Sequence, residues 1–395
     1  MTRHWPARDK STKLRRVFPP VSREEWPLEL PTRHRVPIGW LRAHACPAIK
    51  WRTVNDILPA GAASPEDYQA LRRELHDYKR VTQTLKKQKK DGTWADNILG
   101  LRANKTQGIK GPGTVSRYRH LLELGYGRDE RPMKLAERIF FRLLSRDEQP
   151  ELLFEYRSQA RKNADLTAWG RNLLREGAAA ALAHSGLIED PRVRGAAHRV
   201  ATAVSQFLRS DVGSRPVVRK GSRNVLHPEA YPPTYLSVAM LAYMPNLQRE
   251  RAGFIDRLCS YLALPQTKRK YVIVLGRKVI QPEYQILGNP IEADRSGGAK
   301  DLPLALHWIE LLVRMEQLHT NDVAQRVLAH ALAECDKQGV WTPHNLRAFP
   351  RSVDKVSDFY FPLEADARTM ESRQADVTFR LALIAKLAGW ELDYT

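Results

Sequence analysis

Three acids near the end of this 395-residue chain, Glu364, Asp366 and Asp376, are best suited by type and spacing to general acid–base work. Asp376 also belongs to a polar stripe. Arg373, Asp376 and Arg380 follow one another at i, i+3 and i+7, on a segment otherwise built from Val377, Leu381, Leu383, Ile384 and Leu387. A polar stripe on a buried helix costs free energy unless it is paired or faces a cavity. It therefore reads either as an Arg–Asp–Arg set that grips an anion or orients a water, or as an ion-pair network joining the helix to its neighbours.

Arginine beside an aromatic ring suits a phosphate contact combined with base stacking. Arg117 with Tyr118, Trp169 with Arg171, Tyr235, and His307 with Trp308 provide such combinations and are candidate ligand-binding residues with Arg373 and Arg380. Taken singly, each is more often a core or surface residue. Asp165 and Trp169 are four apart, a pairing that would cradle a cationic or flipped-out group. Candidate nucleic-acid contacts are Arg215, Arg219, Lys220 and Arg223 in the connection 210–233, and Lys268, Arg269 and Lys270 in 266–300. The second connection adds Arg277 and Lys278. A third, 340–371, carries His344, Asn345, Arg347, Arg351 and the run Phe359-Tyr360-Phe361. Long connections in a packed domain are commonly functional, and basic loops with interleaved aromatics point to nucleic acid. Lys86, Lys87, Lys89 and Lys90 form one more basic cluster.

The elements that must position these residues are helices in pairs. Apolar residues recur at three and four over 38–58 and again up to a stop at Gly92. Pairing then continues with 114–125 and 132–144, 165–187 and 190–208, 234–244 and 249–264, and 301–318 and 322–333, and a last helix spans 372–389. The first helix of each pair is the more apolar and should be inner, the second outer. Parallel inner helices would gather their N-termini, capped by Asp165, Thr234, Asp301 and Ser372, into an anion-attracting mouth. Strand character is confined to Tyr271–Ile280, a β-hairpin insert around Gly276. The fold expected is all-α, a toroid or tightly curved solenoid of about six helix pairs. A basic, proline-rich arm over 1–36, packing through Trp5, Phe18 and Trp26, precedes a helical-repeat domain over 37–395.

Two stretches at helix exits repeat. Gln88-Lys89-Lys90-Asp91-Gly92-Thr93-Trp94 resembles the QxxDGSW-type repeat of the terpenoid cyclase and protein prenyltransferase superfamily, and Cys335 to Trp341 carries Gly339 and Trp341 at the same spacing, with Cys335 in place of glutamine. The resemblance implies an α/α toroid. It also implies an isoprenoid-diphosphate enzyme, cyclase- or prenyltransferase-like, with a prenyl diphosphate at a basic rim and its tail in the barrel. The superfamily's DxDD acid is missing, and Cys335 reads as a packing thiol rather than a zinc ligand.

Composition narrows the partners. Sixty-four Lys and Arg against forty-four Asp and Glu give a net charge of +20, which favours polyanions. Cys46, Cys259 and Cys335 are far apart with no CxxC, so neither a disulfide framework nor a metal site is expected. P-loop, GxGxxG, HExxH and Ser-His-Asp patterns are missing as well, and no cofactor is expected. The chain has no apolar run of about 20 residues, and the residues together read as cytoplasmic. The leading expectation is a polyanion-binding helical-repeat protein that takes DNA or RNA, with glycosylase- or nuclease-like hydrolysis as the activity its acids would add. The alternatives are the isoprenoid-diphosphate enzyme and a protein-interaction scaffold.

Overall fold

Caps written into the sequence start most of the helices. Ser64 accepts from Asp67 N with Pro65 in the first turn, and Asp190 and Asp301 repeat the device ahead of Pro191 and Pro303. Thr234 and Ser237 bond reciprocally in a capping box. Two expected caps lie inside the first turn instead. Asn163 Oδ1 accepts from Leu166 N and Thr369 Oγ1 from Ser372 N, so Asp165 and Ser372 are first-turn residues. In both places a small polar residue slightly earlier in the chain meets the free N–H groups first.

The computed structural model describes residues 30–104, 109–145, 149–267 and 269–395. The expected packing of Trp5, Phe18 and Trp26 lies outside them. Among the described residues the chain is mostly helical, with small sheets. The first half contains α1 (Ile38–His44), α2 (Pro47–Arg52), α3 (Pro65–Asp77), α4 (Lys79–Lys86), α5 (Thr114–Glu123), α6 (Arg131–Ser145), α7 (Arg157–Ala160) and α8 (Ala164–His184). The second contains α9 (Pro191–Arg209), α10 (Asp211–Ser214), α11 (Tyr235–Ala242), α12 (Pro245–Glu250), α13 (Ala252–Leu262), α14 (Leu302–Arg314), α15 (Asp322–Ala333) and α16 (Met370–Leu387). The strands are β1 (Arg33–Val36), β2 (Val217–Lys220), β3 (Arg223–Leu226), β4 (Ile273–Leu275), β5 (Lys278–Ile280) and β6 (Glu391–Tyr394). The hairpin β4–β5 is the expected insert; β2–β3 is a second one in what reads as loop. The parallel pair β1–β6 joins the two ends of the helical body, which runs Pro31–Thr395, so the last residues assigned to the arm are part of it.

Burial separates the helices into two kinds. The central residues of α8, α11, α14 and α16 are buried on every side, whereas α3, α6, α9, α13 and α15 bury one stripe, such as Val193, Ala196, Ala197, Val200 and Val204. A helix apolar all round belongs in a core. Helices shorter than about 12–15 residues are marginal alone, so α11, with Leu236 to Ala242 all buried, is held by packing. α8 packs on α5 and α11, α14 on α11 and α16, and α16 on α1 and α2.

The two Gly–Trp turns share one construction. Lys89 N donates to Thr93 O and Gly92 N to Lys89 O; Asp336 N donates to Val340 O and Gly339 N to Asp336 O. Gly92 and Gly339 have φ of 92° and 91°, where only glycine is unstrained. A Cβ on Gly92 would come within 2.6 Å of Leu135 O, and one on Gly339 still closer to Arg35 O. A third copy emerges at Asp294 to Ala299: Asp294 N donates to Gly298 O, Gly297 N to Asp294 O, and Gly297 has φ 91° against Arg326 O. Ala299 stands where the others have tryptophan, which hides this copy from the sequence.

Candidate functional site

The two basic connections, some fifty residues apart in sequence, fold side by side. β2 and β3 pair from Val217↔Leu226 to Lys220↔Arg223 around Gly221, and β4 pairs with β5 around Gly276. Backbone bonds from Val272 N to Asn224 O (3.1 Å) and Leu226 N to Val272 O (2.9 Å) stitch the hairpins together, and Asn224 Nδ2 reaches Lys270 O at 3.2 Å. Arg219, Lys220, Arg223, Arg269 and Lys270 are thereby brought onto one exposed platform, with Arg277 and Lys278 at its far hairpin and Arg215 at its entry. Among the described residues none of these cations has a carboxylate partner. Lys268 lies outside the described residues.

Beneath the platform is a cavity of about 380 Å³. Leu226, His227, Ile273, Val274 and Leu275 from the hairpins cover it, and α8 forms its wall. Asn163 fixes that relation: its Oδ1 caps α8 while its Nδ2 donates to Leu275 O at 2.8 Å. α8 offers the cavity one polar stripe, Asp165, Trp169, Asn172 and Glu176, at i, i+4, i+7 and i+11. Asp165 is exposed at the mouth, while Glu176 is 2% exposed at the floor. Glu176 accepts from Tyr231 OH at 2.5 Å and from Thr234 Oγ1 at 2.6 Å. Burial pushes its carboxyl above the usual range, and the two hydroxyl bonds oppose that. Trp169 meets Tyr156 edge to face at 5.5 Å. The Gln285 Oε1 is buried without a partner among the described residues. No lysine or arginine lines the cavity among the described residues.

The acids singled out by sequence are elsewhere. Asp376 is fully buried and accepts from Leu363 N at 2.8 Å and Glu364 N at 2.9 Å. Glu364 in turn accepts from Cys46 N at 2.6 Å. Burial and the adjacent Asp376 push Glu364 up to about 8. These two carboxyls fasten the 361–364 segment between α16 and α2. Asp366 is exposed and paired with Arg368 at 3.2 Å, apart from them.

Arg380 resolves the stripe on α16 in favour of ion pairing. Its Nη1 lies 2.8 Å from Glu123 and 3.8 Å from Glu310, its Nη2 donates to Tyr360 O at 2.6 Å, and its guanidinium lies 3.7 Å over the Tyr360 ring. Arg52 shares Glu123 at 2.8 Å, and Arg314 pairs with Glu310 at 2.8 Å. Burial would raise Glu123, but Arg380 and Arg52 hold it well below the usual range. Burial lowers the His184 imidazole well below its usual range; Arg119 Nε donates to its Nδ1 at 3.4 Å, and its Nε2 lies 3.4 Å from Glu123. The C-terminal ends of α5, α8 and α14 thus converge on α16. Arg373 instead binds the carbonyls of Ala367, Leu346 and Arg368.

The other expected ligand residues are not brought together. Tyr118 donates to Glu137 at 3.0 Å, Tyr235 to Asp354 at 3.2 Å, and His307 shares a 2.8 Å bond with Ser357 while stacking on Tyr360. Arg171 is half-buried, its Nε without a partner among the described residues. Arg117 lines a smaller cavity of about 110 Å³ with Arg80, His120 and Asp358. Only Trp169 of this group reaches the 380 Å³ cavity.

Asn172 and Glu176 are the site residues that sequence reasoning passes over. Their signal is the spacing from Asp165 and Trp169, and a glutamate directly before the run Gly177 to Ala183, where α8 is otherwise apolar. No family model, no curated protein and no solved structure matches this chain.

Proposed function

We propose that this protein binds nucleic acid through the paired hairpins β2–β3 and β4–β5. The observation that carries this is the juxtaposition of Arg219, Lys220, Arg223, Arg269 and Lys270, from two separate connections, with no carboxylate partners among the described residues. Unpaired cations on a two-stranded ribbon fit a phosphate backbone. The net charge of +20 draws the polyanion in.

The helical body that carries the platform reads best as an α/α toroid of the terpenoid cyclase kind. Supporting this are α5, α8, α11, α14 and α16 packed in succession, α16 meeting α2, and three copies of the glycine turn. The isoprenoid-diphosphate alternative draws less support. Its diphosphate would need cations at the cavity, whose charged lining is Asp165 and Glu176, and where the C-termini of α5, α8 and α14 converge the space is filled by the Arg380–Glu123–Glu310 network.

The test is binding of labelled single- and double-stranded DNA and RNA to the purified protein and to a variant with Arg219, Lys220 and Arg223 changed to glutamate. The reading expects tight binding that the triple variant clearly weakens. Equal binding by both proteins would remove the platform from the account.

A further inference from the structure

We propose that the 380 Å³ cavity beneath the hairpins is a pocket for one nucleobase bearing an exocyclic amine, taken either as a free nucleoside or as a base turned out of a bound strand. The inference rests on the nucleic-acid reading for its second source only. The cavity lies within the about 300–1,000 Å³ range of small-ligand sites. Its wall and floor are chemically matched to a planar, nitrogen-rich ring. Trp169 offers a stacking surface, and base–aromatic stacking tolerates any base. Specificity comes from the polar groups. Asn172 lines the wall as a solvent-exposed amide, and Gln285 Oε1 is buried with no partner among the described residues. An unsatisfied buried amide oxygen such as that of Gln285 costs free energy until something pairs with it.

Side-chain amides pair with the N6/N7 edge of adenine, and carboxylates accept from the amine of cytosine. Glu176 keeps lone pairs beyond the two that Tyr231 and Thr234 engage. With acceptors at the floor and no lysine or arginine in the lining, a free phosphate or diphosphate is repelled, whereas an amine is welcomed. The platform supplies what the cavity omits. Arg223 is three residues from Leu226, which lines the cavity, or roughly 10 Å along an extended strand. Phosphates held at the hairpin tips therefore keep a base within reach of the pocket. Extrusion costs a strand its local stacking, least where it is already single.

The experiment has two arms. Free adenosine, cytidine and uridine are titrated against the full chain by calorimetry and saturation-transfer NMR. Separately, single strands containing one 2-aminopurine are mixed with it, and the fluorescence change on binding is read. Asn172→Leu removes the wall amide while keeping its shape; Gln285→Leu is the second variant should the first not fold. The expected result is adenosine and cytidine binding about tenfold tighter than uridine, and a fluorescence change. Both should be lost in the variant. Uridine equal to adenosine, a neutral oligosaccharide preferred to every nucleoside, or a fluorescence change that survives both variants overturns the inference. Strand binding with neither nucleoside binding nor a fluorescence change overturns it too, and leaves the nucleic-acid reading standing. Nucleoside binding without strand binding does the reverse.

Discussion

Glu123 is the residue on which the interior charge balance depends. It faces Arg380 and Arg52, both nearly or fully buried, and accepts from each at 2.8 Å. Removing one partner of a buried pair typically costs about 3–5 kcal/mol, because the other charge is left unpaired. Glu123→Gln should lower the urea midpoint accordingly; a variant as stable as the parent would show the network to be dispensable. Because folding depresses the Glu123 carboxyl, its contribution is present above the ordinary value of 4.5 and is lost as pH falls below it. Glu364 has the opposite sign. Raised from 4.5 to about 8, it holds its proton more tightly in the folded state. Its effect is therefore a stability that declines as pH rises from 4.5 to about 8 and levels off beyond. Thermal melts across that window should flatten in Glu364→Gln; an unchanged slope would remove Glu364 as the cause. Which of the two readings of Arg373, Asp376 and Arg380 holds was not legible in the sequence. Spacing shows that residues share a face, and the partners on that face, Glu123 and the 361–364 backbone, come from other elements.

Among the elements, helices were legible where period and caps agree, as in α9 and α14, because both signals are local; the helix read from Ser64 to Gly92 is broken at Tyr78 into α3 and α4. The turns were half legible. Gly92 and Gly339 announce themselves by the tryptophan two residues on, but Gly297 performs the same backbone manoeuvre with Ala299 in that place. Each of the three glycines combines a positive φ with a Cβ that would strike a backbone carbonyl. Gly389 has a positive φ of 73° and open space. Gly389→Ala should therefore cost about 1–2 kcal/mol from conformation alone. Gly92→Ala and Gly297→Ala should cost clearly more in the same denaturation assay. Equal losses at all three positions would mean the close approach carries no weight. The β2–β3 hairpin escaped the sequence reading because Val217 to Leu226 alternates weakly and carries three cations, so its pairing is set by Gly221 and by the neighbouring β4–β5 rather than by its own pattern.

At the scale of the molecule, the described residues form a mostly helical body whose first and last strands pair, β1 on β6, with a basic two-hairpin platform over an acid- and tryptophan-lined cavity. No helix among the described residues is long and apolar enough to cross a membrane. Charge in bulk was legible from composition; its concentration on one platform was not, since it depends on Asn224, Val272 and Asn163 bringing distant segments together. That concentration is the central claim, and salt tests it. The affinity for a single strand is to be followed over a salt series, for the parent and for the protein with Arg219, Lys220 and Arg223 reversed. Each phosphate contact contributes about 0.7 to the logarithmic slope on a single strand, so three lost contacts should lessen it by about two. A steep parental slope lessened by that amount is the result predicted. A slope that stays the same in both proteins, or a parental affinity indifferent to salt, would contradict the account.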